Sequence, residues 1–144
     1  MSEQPLQKLS TPADVQAIFD RSPFISWLGL RVVSLDLERQ EITVAMPMRP
    51  ELERRPGTRQ FHGGSIAAFI DIAGDFALGM LLGGGVPTMN FRTDYLRPAR
   101  GSVLTAVARV RRAGKTAGTV DVDVLDDENR LIALGRGTYL ASLG

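Results

Sequence analysis

The sequence predicts an α+β domain, an antiparallel sheet with its helices on one side. Two observations point there. A nearly unbroken apolar run of 18 residues, Ser65 to Leu82, sits in the middle of the chain. After the three glycines that follow it, the hydrophobic period switches from helical to alternating, and four strand-like runs come in succession. At 144 residues the chain has the length of one domain, enough to bury a substantial core.

Each element can be justified in order. Thr11-Pro12-Ala13-Asp14 reads as a helix start, with a Thr cap, Pro in the first turn and an acid at the third position. The amphipathic segment Val15 to Phe19 continues it until Ser22-Pro23. Residues 1–24 are therefore a tail and a short helix, and Phe24 to Leu28 is an apolar lead-in of unassigned structure. Gly29 to Leu37 and Glu41 to Met46 read as strands joined by a turn at Glu38-Arg39-Gln40. The polar stretch Arg49 to Gln60 is expected as a mobile loop beside a site. A long helix runs from about Gly63 to Leu82, and Gly83-Gly84-Gly85 stops it. Strands follow at Thr88–Leu96, Ser102–Arg112, Thr116–Leu125 and Leu131–Ala141. The run from Thr119 to Val124 alternates strictly and so has one wet face, and Asp126 to Asn129 has the composition of a hairpin turn.

The apolar run is long enough to raise the question of a membrane. Asp71 and Asp75 interrupt it, each costing about 2.5–3.5 kcal/mol near a bilayer centre. Glycines rather than basic anchors follow it, so it is expected to be a core helix and no membrane is implied.

Composition excludes whole classes of chemistry. The absence of cysteine rules out disulfides, zinc–thiolate centres, iron–sulfur clusters and thiol catalysis. One histidine rules out a multi-histidine metal centre, and no metal or cofactor is expected. Lys plus Arg is 17 against 16 for Asp plus Glu, which lacks the basic excess of a general nucleic-acid binder. The opening MSEQPLQKLS has no apolar or Arg-rich targeting pattern, so a cytoplasmic protein is expected.

The helix carries the chemistry. An aspartate among apolar neighbours must be paired, neutral or facing a wet cleft, because a bare buried carboxylate costs several kcal/mol. Asp71 lies between Ile70 and Ile72, with Asp75 one turn later. Solvent exposure on an amphipathic helix is the bland alternative for both. His62-Gly63-Gly64 opens the helix, where N–H groups lack intrahelical partners and the dipole is positive. Two glycines let a ligand approach that backbone, which suits an oxyanion hole, a plain anion site or close packing alike.

Eight residues separate Gly63 from Asp71, about 12 Å of helix at 1.5 Å each. One carbonyl group cannot contact both within a chain. Cooperation between them requires two antiparallel helices, hence a homodimer with composite sites.

His62-Gly63-Gly64, Asp71 and the stretch Thr88 to Pro98 together resemble a hotdog-fold acyl-CoA thioesterase of the phenylacetate-degradation type, over roughly Leu28 to Leu140. The resemblance implies an antiparallel sheet of about six strands wrapped around a long central helix, in dimers that associate into homotetramers. It implies a coenzyme A thioester as substrate. It also implies Asp71 as the attacking carboxylate or the base that activates water, and Gly63 as the oxyanion amide. His62 would orient the thioester or the helix start, and Thr88 would help hold the water. Pro56 stands where the family often has Asn, with Gln60 as the candidate to replace its hydrogen bond.

Substrate contacts are expected from Gly64, Gln60, Phe91, Arg97 and Arg112, with Phe69, Phe76 and Met89 around the acyl group. From Arg92 to Lys115 there are seven basic residues against one acid, while Asp121 to Glu128 holds five acids. Such segregation is compatible with a patch for nucleotide phosphates. The expected function is thus hydrolysis of an acyl-CoA or aryl-acyl-CoA. The alternatives are a non-catalytic module that binds acyl thioesters and a hydratase or dehydratase. A serine–histidine pair has no support, because Ser65 lacks the strand–turn–helix elbow.

Overall fold

The computed structural model describes residues 7–144; residues 1–6, the start of the expected tail, lie outside them. Helix α1 (Pro12–Arg21) opens with a complete capping box between Thr11 and Asp14, as its sequence requires. The Phe24 to Leu28 lead-in is a second short helix, α2 (Pro23–Leu28), started by Pro23 and ended by Gly29 at φ 71°. That left-handed cap occupies the position expected to begin a strand, so β1 starts two residues later, at Arg31–Asp36. Strand β2 (Glu41–Pro47) follows, then a single turn of 3-10 helix at Pro50–Leu52.

The long helix α3 spans Gly63–Leu82 and stops at Gly83, φ 96°. Strands β3 (Thr88–Tyr95), β4 (Val103–Ala113), β5 (Ala117–Leu125) and β6 (Leu131–Leu140) complete one six-stranded sheet, ordered β1-β2-β4-β5-β6-β3. Every neighbouring pair is antiparallel. Helix α3 packs against β2, β3, β4, β5 and β6. This is a sheet wrapped on a central helix, the hotdog arrangement.

Period-two alternation supplies the inner face. Ile42, Val44 and Met46 of β2, Leu104, Ala106 and Ala108 of β4, and Val120, Val122 and Val124 of β5 are all buried. They meet Ile66, Phe69, Ile70, Ala73, Ala77 and Met80 of α3, so the apolar run is a core helix. The outer face is charged. Arg109 of β4 holds Glu41 of β2, and Arg136 of β6 clasps Asp121 of β5 through two nitrogens at 2.6 and 3.0 Å.

The two sheet edges differ. On β1 the Gln16 side chain receives the Val32 N–H at 2.8 Å and donates to the Leu30 carbonyl at 3.2 Å, covering the edge from α1. On β3 no other strand pairs with the free edge among the described residues, and Met89, Phe91 and Tyr95 are exposed there.

The Arg49 to Gln60 loop is more firmly held than expected. Leu52 is buried, Glu53 accepts the Gly57 and Arg59 N–H groups at 3.3 and 2.6 Å, and Phe61 bridges back to Glu53. A buried anchor and a carboxylate-capped turn convert a polar connector into a fixed wall.

Candidate active site

Helix α3 begins in a cleft of about 580 Å³ whose walls include Arg54, Gln60, His62, Gly63, Gly64, Tyr95 and Arg97. His62 is the N-cap, and its Nδ1 accepts the Gly64 N–H at 2.8 Å. In the neutral ring this leaves the proton on Nε2. The bond also occupies the Gly64 amide, so Gly64 offers surface to a ligand rather than a donor. The Gly63 N–H has no acceptor among the described residues, while the Gly63 carbonyl accepts the Tyr95 hydroxyl at 2.7 Å. One unpaired donor at the positive end of a 20-residue helix is therefore presented to the cleft.

Asp71 stands two turns down the same helix and is not part of that cleft. Its Oδ1 accepts the Thr88 hydroxyl at 2.8 Å from the start of β3, and its backbone carbonyl accepts the Tyr139 hydroxyl at 3.0 Å. The second carboxylate oxygen makes no hydrogen bond among the described residues. Partial burial pushes the Asp71 carboxyl above its ordinary value, and the Thr88 bond opposes that rise. Asp75, one turn further, accepts the Val86 N–H at 2.8 Å. Burial first, and the charge of Asp71 last, raise Asp75 to about 7 against the pull of the Val86 bond.

The pairs within one chain are thus Gly63 with His62, Gln60 and Arg97 at the cleft, and Asp71 with Thr88 at the helix middle. The remaining expected residues stand apart from both. Phe69 and Phe76 are core residues, Phe76 lying edge-on to Phe19, so neither is free to line an acyl site. Phe91 and Met89 sit on the free edge strand. Arg112 pairs in register with Thr119 of β5, beside the Gly118 that meets Leu78 of α3, toward the opposite end of the helix from Gly63.

Three of the seven residues in the basic cluster are paired with acids within the sheet. Arg92 binds Asp94 on its own strand β3, Arg109 binds Glu41 of the neighbouring β2, and Arg111 lies 3.6 Å from Asp121, which antiparallel pairing of β4 with β5 brings alongside. The cations at the cleft are Arg97, a member of that cluster, and Arg54 from the loop before α3.

Four contributors escaped sequence reasoning: Tyr95, Arg54, Tyr139 and the Asp75–Val86 contact. Tyr139 had a signal. Gly135, Gly137 and Tyr139 share the inner face at alternate positions, and a Cβ on Gly137 or Gly74 would collide with the Tyr139 ring. Two glycines around an aromatic mark the space the ring needs.

The fold and the helix-start cleft define a hotdog domain with an unpaired backbone donor. Comparison with known proteins then places the chain. The thioesterase superfamily profile matches residues 61–133, and the chain belongs to that family. A Halobacterium salinarum protein, provisionally named an esterase, is 33% identical over 136 residues, covering 87% of this chain and 88% of its own. The acyl-coenzyme A thioesterase PaaI of Escherichia coli is 27% identical over 125 residues, covering 86% of each chain. Its solved structure superposes with a TM-score of 0.78 over 92% of this chain and 93% of its own. The medium/long-chain acyl-CoA thioesterase YigI of Escherichia coli is 29% identical over 128 residues, covering 76% of this chain and 83% of its own.

Proposed function

We propose that the protein is an acyl-CoA thioesterase acting as a homodimer with two composite sites. The observation that carries this reading is the division of the machinery. A free Gly63 donor opens into a cleft with Arg54 and Arg97, while a half-buried Asp71 with one unoccupied oxygen lies about 12 Å along the same helix. Antiparallel pairing of two α3 helices would bring Asp71 of one protomer to the Gly63 cleft of its partner. The exposed β3 edge beside Thr88 supports such an association, because an unpaired strand with apolar side chains is a template for a second copy.

In that site the thioester carbonyl oxygen accepts the Gly63 N–H, which strengthens as the oxygen gains charge. His62 holds the helix start by taking the Gly64 N–H, so Gly63 alone points at the oxyanion. The partner subunit's Asp71 either takes a proton from the attacking water or attacks the carbonyl carbon itself, forming an anhydride that water then opens. In both cases the C–S bond breaks, the pair stays on sulfur, and the thiolate leaves without a protein acid. Arg54 and Arg97 supply positive charge for the phosphates of coenzyme A. Relatives named as acyl-CoA thioesterases support the substrate class.

Thiol release from short, medium, long and aryl acyl-CoAs, for wild type and Asp71→Asn, tests the reading. Turnover by wild type and its loss in a folded variant is the expected result. A second reading, a non-catalytic acyl-thioester-binding module, is favoured by Pro56 at the position where the family often has Asn. Binding without thiol release by either protein would establish it.

A further inference from the structure

We infer that the pocket on the other side of the α3 start, between α2 and Ala68, is the subsite for the acyl portion of the thioester. The inference rests on the thioesterase reading and specifies its substrate. The pocket holds about 230 Å³ and is walled by Phe24, Trp27 and Leu28 of α2, Leu52 and Ala68. Glu51 is its one carboxylate, so an anionic occupant is disfavoured and an apolar one is suited.

Its position gives the occupant. His62 and Gly64 line both this pocket and the cleft that holds the Gly63 donor. A thioester whose carbonyl oxygen sits at Gly63 has two arms. The arm carrying phosphates runs toward Arg54 and Arg97, and the other crosses the helix start into the apolar pocket.

The aromatic wall is exposed, and its rings have partners. Phe24 is 54% and Trp27 49% exposed, and their rings stack at 6.5 Å. The Arg49 guanidinium lies 4.5 Å from the Trp27 ring centre, and its Nε and Nη2 are buried without a hydrogen-bond partner among the described residues. A cation held by a ring face rather than by a carboxylate fixes that indole in place. Large, exposed, fixed aromatics beside a reaction site are a recognition surface rather than a core. The volume is roughly eight times the 30 Å³ share of a water molecule, about the size of an eight-carbon acyl chain or an aryl-acyl group.

Trp27 is the only tryptophan in the chain, so its fluorescence reports on this pocket alone. The experiment titrates the wild-type protein with CoA and with S-octyl-CoA, a thioether that cannot be hydrolysed. It then compares kcat/KM for octanoyl-CoA and acetyl-CoA in wild type and Ala68→Leu, with circular dichroism as the folding check. The expected result is a Trp27 response to S-octyl-CoA that CoA does not give, and an octanoyl-to-acetyl ratio that falls roughly tenfold in Ala68→Leu. Hydrolysis of octanoyl-CoA with equal Trp27 responses to both probes and an unchanged ratio overturns the subsite and leaves the thioesterase reading standing. A selective Trp27 response without thiol release overturns hydrolysis and keeps the subsite. No response and no hydrolysis overturn both.

Discussion

Thr88 donates its hydroxyl to Asp71 across the junction of α3 and β3, at 2.8 Å, while the other Asp71 oxygen stays open. The bond fixes the carboxylate rotamer and stabilises its charged form against partial burial. Thr88→Ala removes both effects. The Asp71 pKa then rises, so the acid limb of kcat/KM, which requires the carboxylate, moves to higher pH. We expect kcat at neutral pH to fall by about tenfold to a hundredfold, less than the roughly 10²–10⁴ that losing a general base outright costs. A pH profile that superposes on wild type would remove Thr88 from the site.

Gly63→Pro isolates the proposed oxyanion donor. Position 63 is the first residue of α3, where proline is favoured, and His62 at φ −64°, ψ 139° already has the extended backbone that precedes proline. A Cβ there would meet the Tyr95 ring at 3.4 Å, an ordinary contact. The substitution therefore deletes an N–H with little strain. Thiol release should drop by about 10²–10³ in kcat with thermal stability within a few degrees of wild type. Unchanged turnover would place the oxyanion elsewhere.

The helix and most of the sheet were legible because each rests on local rules. A Thr-Pro-Ala-Asp start, a glycine stop and strict alternation from Thr119 to Val124 leave few other folds. The separation of Gly63 from Asp71 was legible too, since helical rise is fixed. What the sequence concealed depends on pairing across the sheet. The run Arg92 to Lys115 reads as one cationic block, and only the folded sheet shows Asp94, Glu41 and Asp121 taking up Arg92, Arg109 and Arg111 while Arg97 lines the cleft. Phe69 and Phe76 look available for a ligand until the curved sheet closes over them. Tyr95 reaches Gly63 across 32 positions of chain, a contact no local pattern encodes. Helix α2 is not legible in the sequence, because six residues are too few to show a period.

Asp75 makes stability depend on pH in an unusual direction. Its folded pKa, about 7, lies above the unfolded value of 3.8, so the native state binds the proton more tightly. Stability from this group is complete below about pH 4 and is lost as pH rises toward 7. At 1.36 kcal/mol per unit the loss is at most about 4 kcal/mol. Asp75→Asn keeps an oxygen for the Val86 N–H and removes the charge. Urea denaturation should show the variant more stable than wild type at pH 8 and nearly equal to it at pH 4. Parallel stability profiles for the two proteins would contradict a buried, titrating Asp75.

Mixing two inactive variants decides whether the sites are composite. In an Asp71→Asn homodimer every site lacks its carboxylate, and in a Gly63→Pro homodimer every site lacks its donor. A hybrid has one site with both defects and one with neither, because the intact Gly63 of the first chain faces the intact Asp71 of the second. Random exchange makes half of the dimers hybrids, each with one of its two sites working, so activity should return to about a quarter of wild type. Denaturing the two proteins together and refolding them before the thiol-release assay supplies the exchange, and separately refolded samples are the control. If both groups act within one chain, every protomer in the mixture carries a defect and no activity returns. Recovery near a quarter would therefore fix Asp71 and Gly63 on opposite sides of the same interface, where the rise of α3 demands that they be.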